Sequence, residues 1–495
     1  MKKTTRLHWR NHRVDRREGF ILIVVLMMVV LLGVLGASYA FSSNAQMSAS
    51  QAYANQVQAR LAAEAGIQRA ILLLRDPEVR AEVDQWFNSP ETFDGDVVWS
   101  TDEAAASLSD GGEVAIGEKT WRFSVVGDDP NDDDRGIRYG MTDEASKLNL
   151  LVATEEQIRR LLEETVPEET NVDELVAAFL DWADQDDDER ELGAENTYYQ
   201  TLPVGYRCKN GPLETVEELL LIKGFTAAVV YGEDYNRNGL LDLNEDDGEQ
   251  TFPLDDGDGT LRRGIYPYVT IHSRDRNAAN DNQPRIFLNG EDVAKLEEDL
   301  LEYIDPAIVD YILAVRRSGK QIKNPASLLD ASEEINGQPL VSPVTLADMP
   351  VLLDRTTGSP LTGMFGQINV NTAPAIVLRT ITGLTNADVM AIVETRDSVS
   401  SIDKGTTAWL LMQGALAVET FKKVEPYLTA RSLQYTIESI GFADHVGAFK
   451  RLQVIIEMRG QLGQVLYYRD LTQLGLGYPI RSDEEGMSSF ARTNL

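Results

Sequence analysis

At 495 residues the chain is long enough for two or three folded units behind any anchor. Its formal net charge of −33 makes the body repel phosphate, which excludes nucleic-acid binding by counterion release. Cys208 is the only cysteine, so no intrachain disulfide can form; the four histidines (His8, His12, His272, His445) form no motif, which leaves zinc and serine-triad chemistry without support.

The first element is an apolar run from Phe20 to Phe41 that contains no charged residue. As a helix it would measure about 33 Å, enough to span a bilayer. Seven basic residues and two acidic ones precede it, which predicts a cytoplasmic N-terminus and an exported body. Three readings fit the segment: a secretory signal with Ser38-Tyr39-Ala40 as cleavage site, a plain anchor, or a processed anchor. The apolar run is longer than the core of most signal peptides. The helical pattern also continues past Ala40, with Ala59, Ala63, Ile67, Ala70 and Leu74 on one stripe. One helix is therefore expected from near Phe20 to about Arg75.

Residues 96–145 have β character, in DVVWS, GEVAIG and KTWRFSVV, with a further strand allowed in GIRYGMTDE. From 146 to 430 the chain reads as helical and repeats three times. Each repeat opens on an apolar residue and an asparagine (Asn149, Asn289, Asn369), and Thr154, Asn289 and Thr372 are the expected helix caps. A second helix follows in each, then a short third one in ETVEELLLIKG, NPASLLDASE and TTAWLLMQG. Residues 431–475 return to strands, and 476–495 form a tail. The expected fold is α+β: a long N-terminal helix and a small antiparallel sheet, interrupted by a large α-helical domain.

The loop Asp234–Glu245, DYNRNGLLDLNE, is the sharpest chemical signal. It matches D-x-N-x-N-G-x5-E, a calcium-binding pattern. Calcium takes several hard oxygen ligands around one point. Asp234, Asn236, Asn238, Asp242 and Glu245 would offer side-chain oxygens and Leu240 its carbonyl, while Gly239 permits the turn. The following EDDGEQTFPLDD is a poor helix, so the ion would be structural. Weaker acidic candidates for a second ion are Asp255, Asp256 and Asp258, and also Asp184, Asp186, Asp188 and Glu195. A solvated acidic loop is the alternative at each place. VLRTITGLTNADVMAIVETR resembles a helix-hairpin-helix, but Thr385 stands where the second hairpin glycine would be, and few basic residues lie near. A packing role is expected. No nucleophile–base pair, phosphate loop or catalytic metal motif is visible, so an enzyme is not expected.

The basic leader, Gly19, Phe20 and the continuous helix resemble the type IV pilin class. DEASKLNL, LDWADQD, GAENTYY, YRCKNGPLETVEELLLIKG, INVNTAPAIVLRTI and YTIESIGF extend the resemblance over most of the chain to the protein K (GspK) family of type II secretion pseudopilins. The resemblance implies a leader of residues 1–19, cleavage after Gly19 by a prepilin peptidase and methylation of Phe20. It implies helix-hairpin-helix or SAM-like repeats in the helical insert, structural calcium there, and minor pseudopilins I and J as partners, with H as a further candidate. It also implies a single-pass inner-membrane protein with a periplasmic body that caps the pseudopilus tip. Most pilin-class members carry glutamate where this chain has Val24. Protein K typically lacks it. Two departures stand out: Leu151 replaces a second asparagine in KLNLL, and the insertion after Gly232 is long. The alternative function is a membrane-anchored helix-hairpin-helix DNA receptor.

Overall fold

The computed structural model describes residues 17–100, 120–128, 137–167, 169–248, 250–253, 255–335, 337–443 and 446–478. Most of the basic leader, the GEVAIG segment, His8, His12, His445 and nearly all of the tail lie outside these residues. The chain divides into two compact units, Met1–Gln58 and Ala59–Leu495. Helix α1, Arg17–Leu73, contributes residues to both.

In the first unit α1 presents its apolar side chains outward from Phe20 onward. Its most apolar window has a mean hydropathy of 3.1, so this helix is long and apolar enough to cross a membrane. In the second unit the same helix is amphipathic. Ala59, Ala63, Ile67, Ala70, Ile71 and Leu74 are buried, at helical spacing, against an antiparallel sheet. Two short helices follow, α2 (Pro77–Ala81) and α3 (Val83–Phe87). Asp76 caps α2 through the Glu78 amide, and Trp86 of α3 packs edge-on to Tyr435.

The sheet strands are β1 (Asp96–Ser100), β2 (Thr120–Val126), β3 (Thr142–Asp143), β4 (Gln434–Ala443), β5 (Val446–Arg459) and β6 (Leu462–Asp470). They pair in the order β1-β2-β4-β5-β6, with β3 also pairing β4, all antiparallel. Phe123, Val125, Ile437, Val454, Ile456 and Met458 meet the buried stripe of α1. At Gly441 the helix backbone lies directly on the strand. An added Cβ would fall 2.1 Å from the Ala59 carbonyl oxygen and 2.3 Å from the Ala63 nitrogen.

Among the described residues between β3 and β4, Leu148 to Leu428 build a helical body with a contiguous core of its own, which includes Trp182, Tyr199 and Trp409. The ends of the body sit side by side, since Asp143 pairs with Tyr435 across the sheet. The molecule is thus α+β, as its sequence implies. Within the body the helix pairs are 155–165 with 172–183, 293–301 with 306–317, and 375–379 with 386–396. The asparagine of each repeat sits at or just beyond a two-residue strand that pairs in parallel with a strand much later in the chain: Leu148–Asn149 with Val269–Thr270, Ile286–Phe287 with Thr356–Thr357, Ile368–Asn369 with Leu428–Thr429. The asparagines are bolts for these closures. Asn149 donates to the Ser273 carbonyl, Asn289 exchanges two hydrogen bonds with the Ile322 main chain, and Asn369 donates to Asp143.

The expected caps are correct only in the first repeat. Thr154 forms a capping box with Gln157. Asp292, not Asn289, caps the second repeat, because Asn289 is held by Ile322. In the third, Pro374 occupies the cap position and Thr372 turns its hydroxyl to Asp143 instead. NPASLLDASE also departs from expectation: only Pro325–Leu328 is helical, as a short 3-10 turn, and Ser332–Ile335 forms a hairpin strand. Leu151 does not alter its turn. Its amide bonds Asn149 Oδ1 as the Asn371 amide bonds Asn369 Oδ1, but Asn371 adds side-chain bonds to the Lys404 and Ala430 carbonyls that leucine cannot make.

Candidate metal centre and its seat on the sheet

The loop Asp234–Glu245 turns tightly because two residues adopt positive φ, Arg237 at 59° and Gly239 at 70°. Glycine is needed at 239 for a second reason: a Cβ there would lie 2.1 Å from Asp128 Oδ1. Asp234 is buried and accepts from the Asn238 and Gly239 amides, each at 3.0 Å. Glu245 is also buried and accepts from the Tyr235 amide at 3.0 Å and the Asp242 amide at 3.2 Å. Asn236 and Asn238 both donate their side-chain amides to Asp242 Oδ2. The Leu240 amide bonds Asn238 Oδ1, and Arg263 reaches the Gly239 carbonyl.

This arrangement concentrates negative charge away from water. Burial pushes the Asp234 carboxyl up to about 6, and the nearby Asp128 charge adds to it. Burial, with the charges of Asp234 and Asp242, pushes Glu245 up to about 7. Asn236 Oδ1 is buried with no hydrogen-bond partner. A hard cation would satisfy that oxygen and offset the crowded carboxylates. Carboxylates, side-chain amides and a carbonyl are the donor types such an ion takes. Among the described residues no three His, Cys, Asp or Glu side chains converge on one point as a ready-made metal group.

A buried side chain of the sheet grips the loop, and Leu240 packs against the cluster of Val126, Ile440 and Phe442. Arg451 of β5 is fully buried. Its guanidinium donates to the Asn236 carbonyl at 2.7 Å and the Arg237 carbonyl at 2.9 Å, and its Nε pairs with Glu438 of β4. Gln453 holds the other oxygen of Glu438, and Tyr478 lies over the guanidinium. Arg237 itself stacks on Tyr231 and Tyr266. Sequence spacing gives no hint of Arg451, because it lies more than two hundred positions from the loop it grips.

The other acidic candidates differ from this one. Asp255 accepts from the Gly248 and Gly257 amides, Asp256 pairs with Arg262, and Asp258 accepts from Thr260. Asp186 accepts from the amide of Asp188, which is itself exposed. Asp184 pairs with Arg190 through one oxygen, while its other oxygen is buried without a partner. Glu195 is buried beside Cys208, and burial, with the Asp181 and Asp187 charges, raises its carboxyl. Asp181, at the start of the acidic stretch but outside the expected ligand sets, is fully buried and binds Arg190 and the Ala194 amide. Its position one helical turn before Asp184 was the available signal. Asn210, with a buried unpartnered oxygen, carried none. At the hairpin, the Thr385 amide is taken by Asp388, so a carboxylate stands where a phosphate would have to sit. Gly19, Phe20 and Val24 lie on α1, with Phe20 and Val24 exposed.

Residues 143–231, from the end of β3 through the first repeat, match the family model described as type II secretion system (T2SS), protein K. Over this stretch the chain is similar to type II secretion system protein K. Two curated K proteins align with it: one from Klebsiella pneumoniae at 25% identity over 223 residues, and one from Pectobacterium carotovorum subsp. carotovorum at 28% over 215 residues. These alignments cover 44% and 42% of this chain, and 60% and 59% of those K proteins. The chain thus spans about three fifths of the length of the curated relatives it matches. Among solved structures, the GspK-GspI-GspJ complex from the enterotoxigenic Escherichia coli type 2 secretion system is similar over 86% of this chain and 98% of that chain, at 12% identity and a TM-score of 0.38.

Proposed function

We propose that this chain is a minor pseudopilin of a type II secretion system, a structural subunit and not an enzyme. The observation that carries the reading is the protein K match at residues 143–231, lying inside a body inserted into a helix-packed antiparallel sheet. In this reading α1 anchors the subunit in the bacterial inner membrane, with the N-terminus cytoplasmic and the body periplasmic. A prepilin peptidase cleaves between Gly19 and Phe20 and Phe20 is methylated. Mass spectrometry of the mature protein tests this directly: the expected chain begins at methylated Phe20, and one beginning at Phe41 would mean a discarded signal peptide.

The subunit then caps the pseudopilus tip, contacts pseudopilins I and J and supports export across the outer membrane. The size of the helical body favours an end position, because a body larger than the sheet is hard to accommodate along a packed shaft. Val24 fits the same place. A pilin-class glutamate pairs with the charged amino terminus of a neighbouring subunit, and a tip subunit has no neighbour above it. A carboxylate there would be buried unpaired, at a cost of several kcal/mol. Val24→Glu is therefore expected to lower recovery of the subunit with I and J by about tenfold or more, since ~1.4 kcal/mol is already a factor of ten. Unchanged recovery would remove this support for the tip.

Calcium is proposed as a structural ligand, held by Asp234, Asn236, Asn238, the Leu240 carbonyl, Asp242 and Glu245. Its chemistry there is charge compensation and fixing of the turn. A second ion near Asp184 and Glu195 is the weaker proposal, supported by the unpartnered buried oxygens there.

A further inference from the structure

A cavity of about 230 Å³ lies between α2–α3 and the loops of the helical body around Asp275–Asn282, Ser401–Gly405 and Ala430–Leu433. Its charge is opposite to that of the chain as a whole. Four cations line it, Arg80, Arg276, Lys404 and Arg431, against one carboxylate, Asp275. That carboxylate is already engaged, accepting from Arg431 at 3.1 Å and from the Arg276 amide at 2.7 Å. Arg80 donates to the Leu74 and Gly460 carbonyls and Arg276 to the Met458 carbonyl, and neither guanidinium has an ion pair among the described residues. Lys404 is only 9% exposed and has no ion pair among the described residues. Its main chain is fixed from both sides: the amide bonds the Ser400 carbonyl, and the carbonyl accepts from the Asn371 side chain.

Cations gathered on one cavity repel one another, and the only carboxylate among the described lining residues is the engaged Asp275. Arg80 and Arg276, with no ion pair among the described residues, add to that repulsion. An anion in the cavity would compensate all three, and arginine forks match carboxylate geometry. The remaining lining narrows the chemistry. Val83, Trp86 and Ala279 give an apolar wall suited to a carbon skeleton, while Asn280 and Ser432 add neutral polar groups.

We propose that this cavity is a binding site for a small dicarboxylate, with Lys404, Arg276 and Arg80 as the anion-holding groups. The site is far in sequence from the 234–245 loop and does not depend on how that loop is read.

The test uses the full chain in detergent micelles, with succinate as the probe and sodium chloride at matched ionic strength as the reference. Succinate is expected to raise the melting temperature by about 3 °C or more beyond the chloride reference. Calorimetric titration is expected to show saturable binding, weakened at least tenfold in Lys404→Met. Arg276→Gln, at a less buried position, should weaken binding in the same direction and serves if Lys404→Met does not fold. No shift beyond chloride, unchanged binding in both variants, or an equal response to inorganic phosphate would each overturn the assignment.

Discussion

Replacing Arg451 by methionine is expected to destabilise the protein by about 3–5 kcal/mol, the cost of leaving Glu438 buried without its partner. Arg451 and Glu438 are 0% and 8% exposed at their side chains, so water cannot take over the missing role. Methionine preserves much of the volume, which keeps the cavity term small. The double variant Arg451→Met, Glu438→Gln should recover part of the loss, because the stranded charge is then gone and Gln453 still faces the site. Chemical unfolding of the full chain in micelles gives the comparison. If the single variant loses less than about 1 kcal/mol, the pair is not the seat described above.

The same variant separates two roles of the loop. Wild-type protein melted with calcium and with chelator should differ clearly, by about 2.7 kcal/mol when calcium stands at a hundred times its dissociation constant. Arg451 holds the carbonyls of Asn236 and Arg237, so its loss loosens the loop and should narrow that difference. Identical wild-type curves would remove calcium from the 234–245 reading. An undiminished difference in the variant would leave calcium in place but make the loop independent of the sheet.

The second large effect is expected at Gly441. Valine there would place its Cβ against three backbone atoms, of Ala59, Ala62 and Ala63, all within 3.0 Å. Backbone cannot rotate aside as a side-chain tip can, so the helix must lift from the strand. Overpacking of this kind typically costs about 1–3 kcal/mol, and the exclusively main-chain clash puts this site at the upper end. Limited proteolysis should then cut α1 near residues 59–73 faster than in wild type. Gly363→Ala is the matched control, since its added Cβ meets nothing nearer than 3.6 Å. Equal cleavage of Gly441→Val and the control would show that the close approach does not hold the helix down.

What could be read from the sequence was local. The D-x-N-x-N-G spacing, the apolar run of α1 and the threefold recurrence of an apolar residue with asparagine are patterns within a dozen positions, and each corresponds to a discrete feature of the fold. What could not be read depends on partners distant along the chain. Asn289 and Thr372 are good caps by propensity, but Ile322 and Asp143 offered them better-placed bonds, so tertiary contacts overrode the local preference. Arg451 looks like an ordinary strand residue until β5 places it beneath the loop. Lys404 looks like a surface lysine until the fold places it on a cavity that α2 and α3 also line.

The pairing of β3 with β4 has a consequence for the order in which the protein is completed. A chain made from its N-terminus presents α1, β1 and β2 long before the strands that finish their sheet exist. The inner edge of β2 must wait, unpaired, while the whole helical body is added and folded. Because the body enters at Asp143 and leaves at Tyr435, side by side, its own closure delivers β4 to the waiting edge. The body is in that sense an internal clamp: its folding shortens the search that β4, β5 and β6 must make, and the sheet that grips α1 forms last.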